Sequence, residues 1–200
     1  MNPDSQSRPD QSIKADHVPS DDSPGTAKLS VHRRLPNDDP IHNLVGRVAN
    51  DWALVEHQLD LIIWELAKVD YETGACLTGQ IHGALPKLTA IKALCKRRKL
   101  EEIFEQVKEL EGRCHQVQNR RNRILHDPWY IEEASQQSEQ FKSMARGEWQ
   151  FGHHPVDEKF LIETLEKIDR RIEEVGKLRN AINEALNPPD SSIAASDSQE

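Results

Sequence analysis

The chain has 200 residues and a formal net charge of -8, with 36% hydrophobic, 30% charged and 5% aromatic side chains. So acidic a chain is a poor general ligand for nucleic acid, and any phosphate contact must come from a local cluster of cations. Few aromatics and abundant charge disfavour a β-sandwich and favour a surface-rich helical protein built on one core. Cys76, Cys95 and Cys114 show neither CxxC spacing nor the even count of a disulfide framework, which fits a reducing compartment. The opening MNPDSQSRPDQSIKADH has no apolar run suited to a signal peptide, and no stretch approaches the roughly 18 apolar residues that cross a bilayer. The expectation is a cytoplasmic protein with no membrane partner.

From Met1 to Asn37, Ser, Asp, Pro and Gln dominate without apolar periodicity, so residues 1–37 are expected to be disordered. The folded domain is placed at 38–187, and the tail at 188–200, opening on Pro188-Pro189, is again expected to be disordered. The first helix starts at Asp38-Asp39-Pro40, an N-cap candidate with proline in the first turn, and runs to about Val69. Leu44, Val45, Val48, Trp52, Val55, Leu59, Ile62, Ile63 and Leu66 recur at threes and fours and give one broad apolar stripe, with Glu56 on its border. A short helix follows near Gly74 to Ile81, and another from Leu85 to Lys99 ends in the basic run Lys96-Arg97-Arg98-Lys99.

The pattern predicts a long helix over Glu101 to His126, with Ile103, Val107, Leu110, Cys114 and Val117 on its stripe. Arg121 is the next member of that series, an arginine where the period calls for an apolar side chain. Pro128 ends the helix. Between Trp129 and Pro155 the helical period is lost, and Trp129-Tyr130-Ile131 and Trp149-Gln150-Phe151 read as two short strands of a hairpin-like insertion around a polar loop. Helix resumes near Asp157, where Leu161, Leu165, Ile168, Ile172, Val175, Leu178 and Ile182 form a last stripe. The fold class expected is all-α, an up-and-down helical bundle with a short hairpin-like insertion before the last helix.

The chemistry concentrates in Arg120-Arg121-Asn122-Arg123-Ile124-Leu125-His126. A guanidinium is a fixed cation with planar donors suited to phosphate, and a histidine moves protons near neutral pH. Together they suit phosphodiester cleavage in RNA, where the 2′-OH attacks its own phosphorus and no metal is required. Asn122, four residues before His126, shares its side of the helix. Arg121 and His126, five apart, diverge by about 140° on an ideal helix, which a distorted last turn or the second copy in a symmetric dimer would offset.

An arginine, a polar residue, three further positions and a histidine near the end of a long helix in a helical domain resemble the HEPN superfamily. Its signature is arginine, four to six residues, then histidine, matched here by Arg121, Asn122 and His126. The resemblance extends to an upstream amphipathic helix carrying an acidic residue, Trp52-Ala53-Leu54-Val55-Glu56, and so to residues 40 to 187. It implies a metal-independent endoribonuclease acting as a homodimer, in some members the toxin of a toxin–antitoxin pair, and in others a non-catalytic interaction or nucleotide-binding module. It further implies Arg121, Asn122 and His126 as catalytic residues and Glu56 in support. One toxin subgroup has a tyrosine two places after the histidine, where this chain has Pro128, so control through that tyrosine is not carried over.

Beside these readings stand plainer ones. Arg121 can pair with a carboxylate such as Glu56, and His126 can cap a helix end through the helix dipole. Lys96, Arg97, Arg98 and Lys99, with Arg120 and Arg123, are the candidate RNA contacts, and over residues 92–123 ten basic side chains face five acidic ones. The basic run is equally a solvated helix end. His153-His154 and Cys114-His115 lack metal-ligand spacing, so the histidine pair is assigned to a surface loop and neither metal nor cofactor is expected.

Overall fold

A computed structural model describes residues 30–144 and 150–188. Five helices account for most of these residues: α1 (Pro40–Ala67), α2 (Tyr71–Thr78), α3 (Ala84–Arg98), α4 (Glu101–His126) and α5 (Glu158–Leu186). Four strands complete the fold: β1 (His32–Arg34), β2 (Trp129–Glu132), β3 (Ser138–Met144) and β4 (Gln150–Pro155), forming one antiparallel sheet in the order β1-β2-β3-β4. The molecule is therefore mostly helical with a sheet at one end, and all-α is a correct description of the bundle alone.

The helix starts follow from capping chemistry. The Asp39 carboxylate accepts from the Ile41 amide at 2.9 Å with Pro40 in the first turn, Asp70 accepts from Thr73 at 2.8 Å, and Asp157 accepts from Phe160 at 3.0 Å. Lys68 and Lys99, both at positive φ (57° and 59°), close α1 and α3 in left-handed caps. Helix α1 lies centrally, packed on α5, α3, α2 and α4, while α4 also packs on α3 and α5. Val48, Trp52, Val55, Leu59, Ile62 and Leu66 of α1 are fully buried against Leu88 and Ile91 of α3, Val107 and Cys114 of α4 and Ile168, Val175 and Ile182 of α5. Each such aliphatic side chain contributes about 1.5–3 kcal/mol through burial. Close approach fixes α2 as well: a Cβ on Gly74 would sit 2.5 Å from the Trp64 ring, so only glycine lets α2 rest there.

The sheet departs from expectation in two ways. A third strand, β3, fills the stretch expected to be a polar loop and separates β2 from β4, so these do not form a hairpin with each other. Strand β1 pairs with β2, Arg33 opposite Ile131, and Leu35 is 3% exposed in the core, so the folded unit begins before Asp38. A two-residue period governs the faces. Leu35, Ile131 and Gln140 lie on the inner face, with Gln140 only 1% exposed, whereas Tyr130, Glu139, Phe141 and His153 alternate onto the outer face. Residues 1–29, Trp149 and the tail from Pro189 onward, for which disorder or a strand was expected, lie outside the described residues.

Candidate functional site

Helix α4 ends where the sequence requires: Pro128 follows Asp127, which takes extended geometry (φ -80°, ψ 128°). The last-turn carbonyls are then met by the sheet. Gln140 Nε2 donates to the Arg123 carbonyl at 3.2 Å, alongside the Asp127 amide at 3.0 Å, and Trp129 Nε1 donates to the Ile124 carbonyl at 2.9 Å. Capping therefore falls to Trp129 and Gln140. His126, exposed, makes no hydrogen bond to these carbonyls, so its dipole-cap role is not one of direct contact.

Asn122, Arg123 and His126 line one cavity of about 640 Å³ together with His115, Asn119, Arg120, Asp127 and Phe160. His115, Asn119, Asn122 and His126 succeed each other at four, three and four residues, which places them along a single stripe of α4. Asn119 Nδ2 lies 3.4 Å from His115 Nε2, and Arg123 reaches Asp127 at 3.4 Å. Arg120 stacks its guanidinium 4.5 Å from the Phe160 ring centre and lies 3.3 Å from Glu163.

Arg121 is set apart from this wall, as the divergence of positions five apart on a helix requires. The buried stripe of α4 steps from Val117 to Ile124, leaving Arg121 half-buried at its edge rather than in the core. Its Nη1 donates to Asn122 Oδ1 at 3.1 Å, while its buried Nε has no hydrogen-bond partner among the described residues. Among the described residues no ion pair joins Arg121 to Glu56. Glu56 instead accepts from Trp52 Nε1 at 2.7 Å, one turn back on α1. The neighbouring α1 carboxylate, Asp60, holds the buried Lys87 of α3 at 2.7 Å.

The basic run is elsewhere. Lys96, Arg97 and Arg98 form the last turn of α3 and Lys99 caps it, next to the start of α4, which lies roughly 30 Å along that helix from Arg121 at about 1.5 Å per residue. Arg98 Nε donates to the Leu66 carbonyl at 2.6 Å and so caps α1, and Lys96 covers the Phe104 ring at 4.7 Å. The structure does not bring this run together with Arg121, Asn122 and His126 in one chain.

Cations absent from the sequence reading stand closer. Arg120 is shared with a groove of about 510 Å³ between α4 and α5, lined also by Arg113, Lys167, Arg170 and Arg171. On the other side Arg123 and Phe160 are shared with a cavity of about 540 Å³ reaching Gln140, Lys142 and Asp157. Three adjoining concavities thus follow α4, with Asn122 and His126 in the middle one. The signal lay in helical spacing: Arg113 and Arg120 are seven apart, and Lys167, Arg170 and Arg171 fall at three and four. Carboxylates take up part of this charge, Glu174 at 3.2 Å from Arg113 and 2.7 Å from Arg171.

His153 and His154, expected in a loop, belong to β4 and project to opposite faces of the sheet. On the outer face His153 meets His32 and Glu139. Burial, with His32 and His154 nearby, holds the His153 imidazole below its ordinary pKa. Among the described residues no helix is long and apolar enough to cross a membrane. No protein-family model, curated protein or solved structure matches the chain.

Proposed function

We propose that the protein is a metal-independent endoribonuclease of HEPN type, its helices forming a HEPN-like bundle and its active unit a homodimer. The observation that carries the reading is the α4 stripe: Asn122 and His126 share one wall of a cavity flanked by Arg120 and Arg123 and continued by a basic groove. Such a track matches a phosphodiester backbone, whose affinity comes from cations spaced along it. His126, exposed in the cavity, takes the proton of the RNA 2′-OH as that oxygen attacks phosphorus. The P–O5′ bond breaks, the 5′-oxygen takes up a proton from water as His126 returns its own to solvent, and a 2′,3′-cyclic phosphate remains. Asn122 positions the phosphate or the imidazole. Arg121, tied to Asn122 and turned off the wall, stabilises the transition-state charge in the site of the second copy. A role as a toxin or defence component held in check by an antitoxin in the cytoplasm belongs to the same proposal.

A second reading, a non-catalytic helical module that binds RNA, nucleotide or a partner, draws on the separation of Arg121 from His126 within one chain. Incubating the purified protein with mixed RNAs in EDTA decides between them. Products ending in 2′,3′-cyclic phosphate, lost in His126→Ala, are expected; absence of cleavage with every RNA, or full cleavage by His126→Ala, contradicts the nuclease.

A further inference from the structure

Three side chains from three strands converge on the outer face of the sheet, separated by the sheet itself from the inner-face Gln140 and Lys142 of the α4 cavities. His32 Nδ1 lies 3.1 Å and His153 Nδ1 3.6 Å from Glu139 Oε2, and the three atoms all lie within 4.8 Å of one another. We propose that these atoms bind one divalent first-row transition ion, Zn²⁺ in the first instance, which clamps β1 to β3 and β4.

The ligand set is the first argument. Two imidazoles and a carboxylate suit zinc and its neighbours, whereas calcium and magnesium take oxygen ligands almost throughout. Zinc bonds of about 2.1 Å in a tetrahedron set ligand atoms about 3.4 Å apart, close to the two nitrogen–oxygen separations here. Satisfaction is the second. All three ligand atoms are buried, and among the described residues none has a hydrogen-bond partner. Glu139 is 7% exposed, and a buried carboxylate without aligned donors is costly unless a cation meets it.

The third argument is geometric. The His32 and His153 rings stack in parallel at 3.6 Å with 4° between planes, and the Nδ1 of each approaches the same Glu139 oxygen. An ion in both ring planes requires the imidazoles to tilt until those planes meet. That motion uses a broad sp³–sp² torsion, and the two side chains keep 20% and 24% exposure. Tyr130 and Phe141 set ring edges against His153 at 4.9 and 5.2 Å and supply an apolar surround. Three protein ligands leave a fourth position for water on the outward side. The ion gives the three-residue β1, which among the described residues pairs with β2 alone, a second attachment to the sheet, closing a long loop of chain.

The test uses the untagged full-length chain, stripped with EDTA, desalted and titrated with ZnCl₂ by calorimetry. One ion per chain is expected, with Tm raised by roughly 5 °C or more at a hundredfold excess over Kd. Glu139→Gln and His153→Ala should abolish both effects, while His42→Ala and Cys76→Ser, at exposed positions, leave them intact. No heat and no Tm shift in the wild type overturns the proposal, as does undiminished binding in Glu139→Gln. Should His153→Ala fail to fold, X-ray absorption of the wild-type zinc complex decides: two imidazole nitrogens in the zinc shell support the site, and a shell without them overturns it.

Discussion

The end of α3, next to the start of α4, and the far end of α4 are both rich in cations, yet they differ in what those cations do. At the first, Arg98 caps the Leu66 carbonyl and Lys96 lies over Phe104, so charge there serves the packing of α1, α3 and α4. At the far end His126 is exposed in a cavity, and among the described residues the buried Arg121 Nε has no hydrogen-bond partner. Charge density along the sequence favours the first end, while unspent bonding capacity in space favours the second. A functional site is better recognised by the second criterion, because groups already satisfied have little left to offer a ligand.

The largest effect expected from this contrast is on cleavage. His126→Ala loses about a hundredfold or more of RNA cleavage with the Tm unchanged within a degree or two, the range for removal of a general acid or base. Lys99→Ala, at the opposite end, changes the rate by less than about threefold. Equal losses in single-turnover assays of the two variants would erase the distinction between the ends.

Next in size is the support beneath the site. Gln140→Ala leaves the Arg123 carbonyl with one donor fewer and a small void in its place, at a cost of about 1–3 kcal/mol and a Tm lower by several degrees. Thermal melts followed by circular dichroism measure it, and an unchanged Tm would mean that the sheet does not brace the helix end. At the other end Arg98→Ala removes a cap on α1 and costs about 1–2 kcal/mol, while RNA cleavage at saturating substrate stays at the wild-type rate.

How far the sequence carried these features depended on period. Helix α4 was bounded at its end by Pro128, and α1 at its start by Asp39-Pro40, because caps and prolines act locally. Strand β3, Ser138–Met144, was missed because the inner-face residue it buries is Gln140, so its hydropathy does not alternate as a half-buried strand should. The three residues of β1, His-Arg-Arg, carry no apolar signal, and only pairing with β2 makes them a strand. That Asn122 and His126 share one side of α4 was legible from their i, i+4 spacing. Arg113, Lys167, Arg170 and Arg171 were not, since the groove they line exists only after α4 and α5 pack together. Likewise nothing local links His32 to Glu139.

The smallest effect concerns the thiols, which separate surface from interior. Burial pushes the Cys95 thiol up to about 11 and the Cys114 thiol up to about 12, while Cys76 is exposed. Iodoacetamide at pH 8 should therefore label Cys76 alone in the native protein and all three in denaturant, as read by intact mass. Native labelling of Cys114 would show that α4 and α5 open readily beside the basic groove.

The central claim, that Arg121 and His126 meet in one site across two copies, is tested most directly by mixing two inactive variants, Arg121→Ala and His126→Ala. Random exchange makes half of the dimers mixed, and each mixed dimer holds one intact composite site out of two, so about a quarter of wild-type RNA cleavage should return. Recovery to that level, with 2′,3′-cyclic phosphate products, is the expected result. No recovery from a mixture shown by native mass spectrometry to contain the mixed dimer would contradict the account.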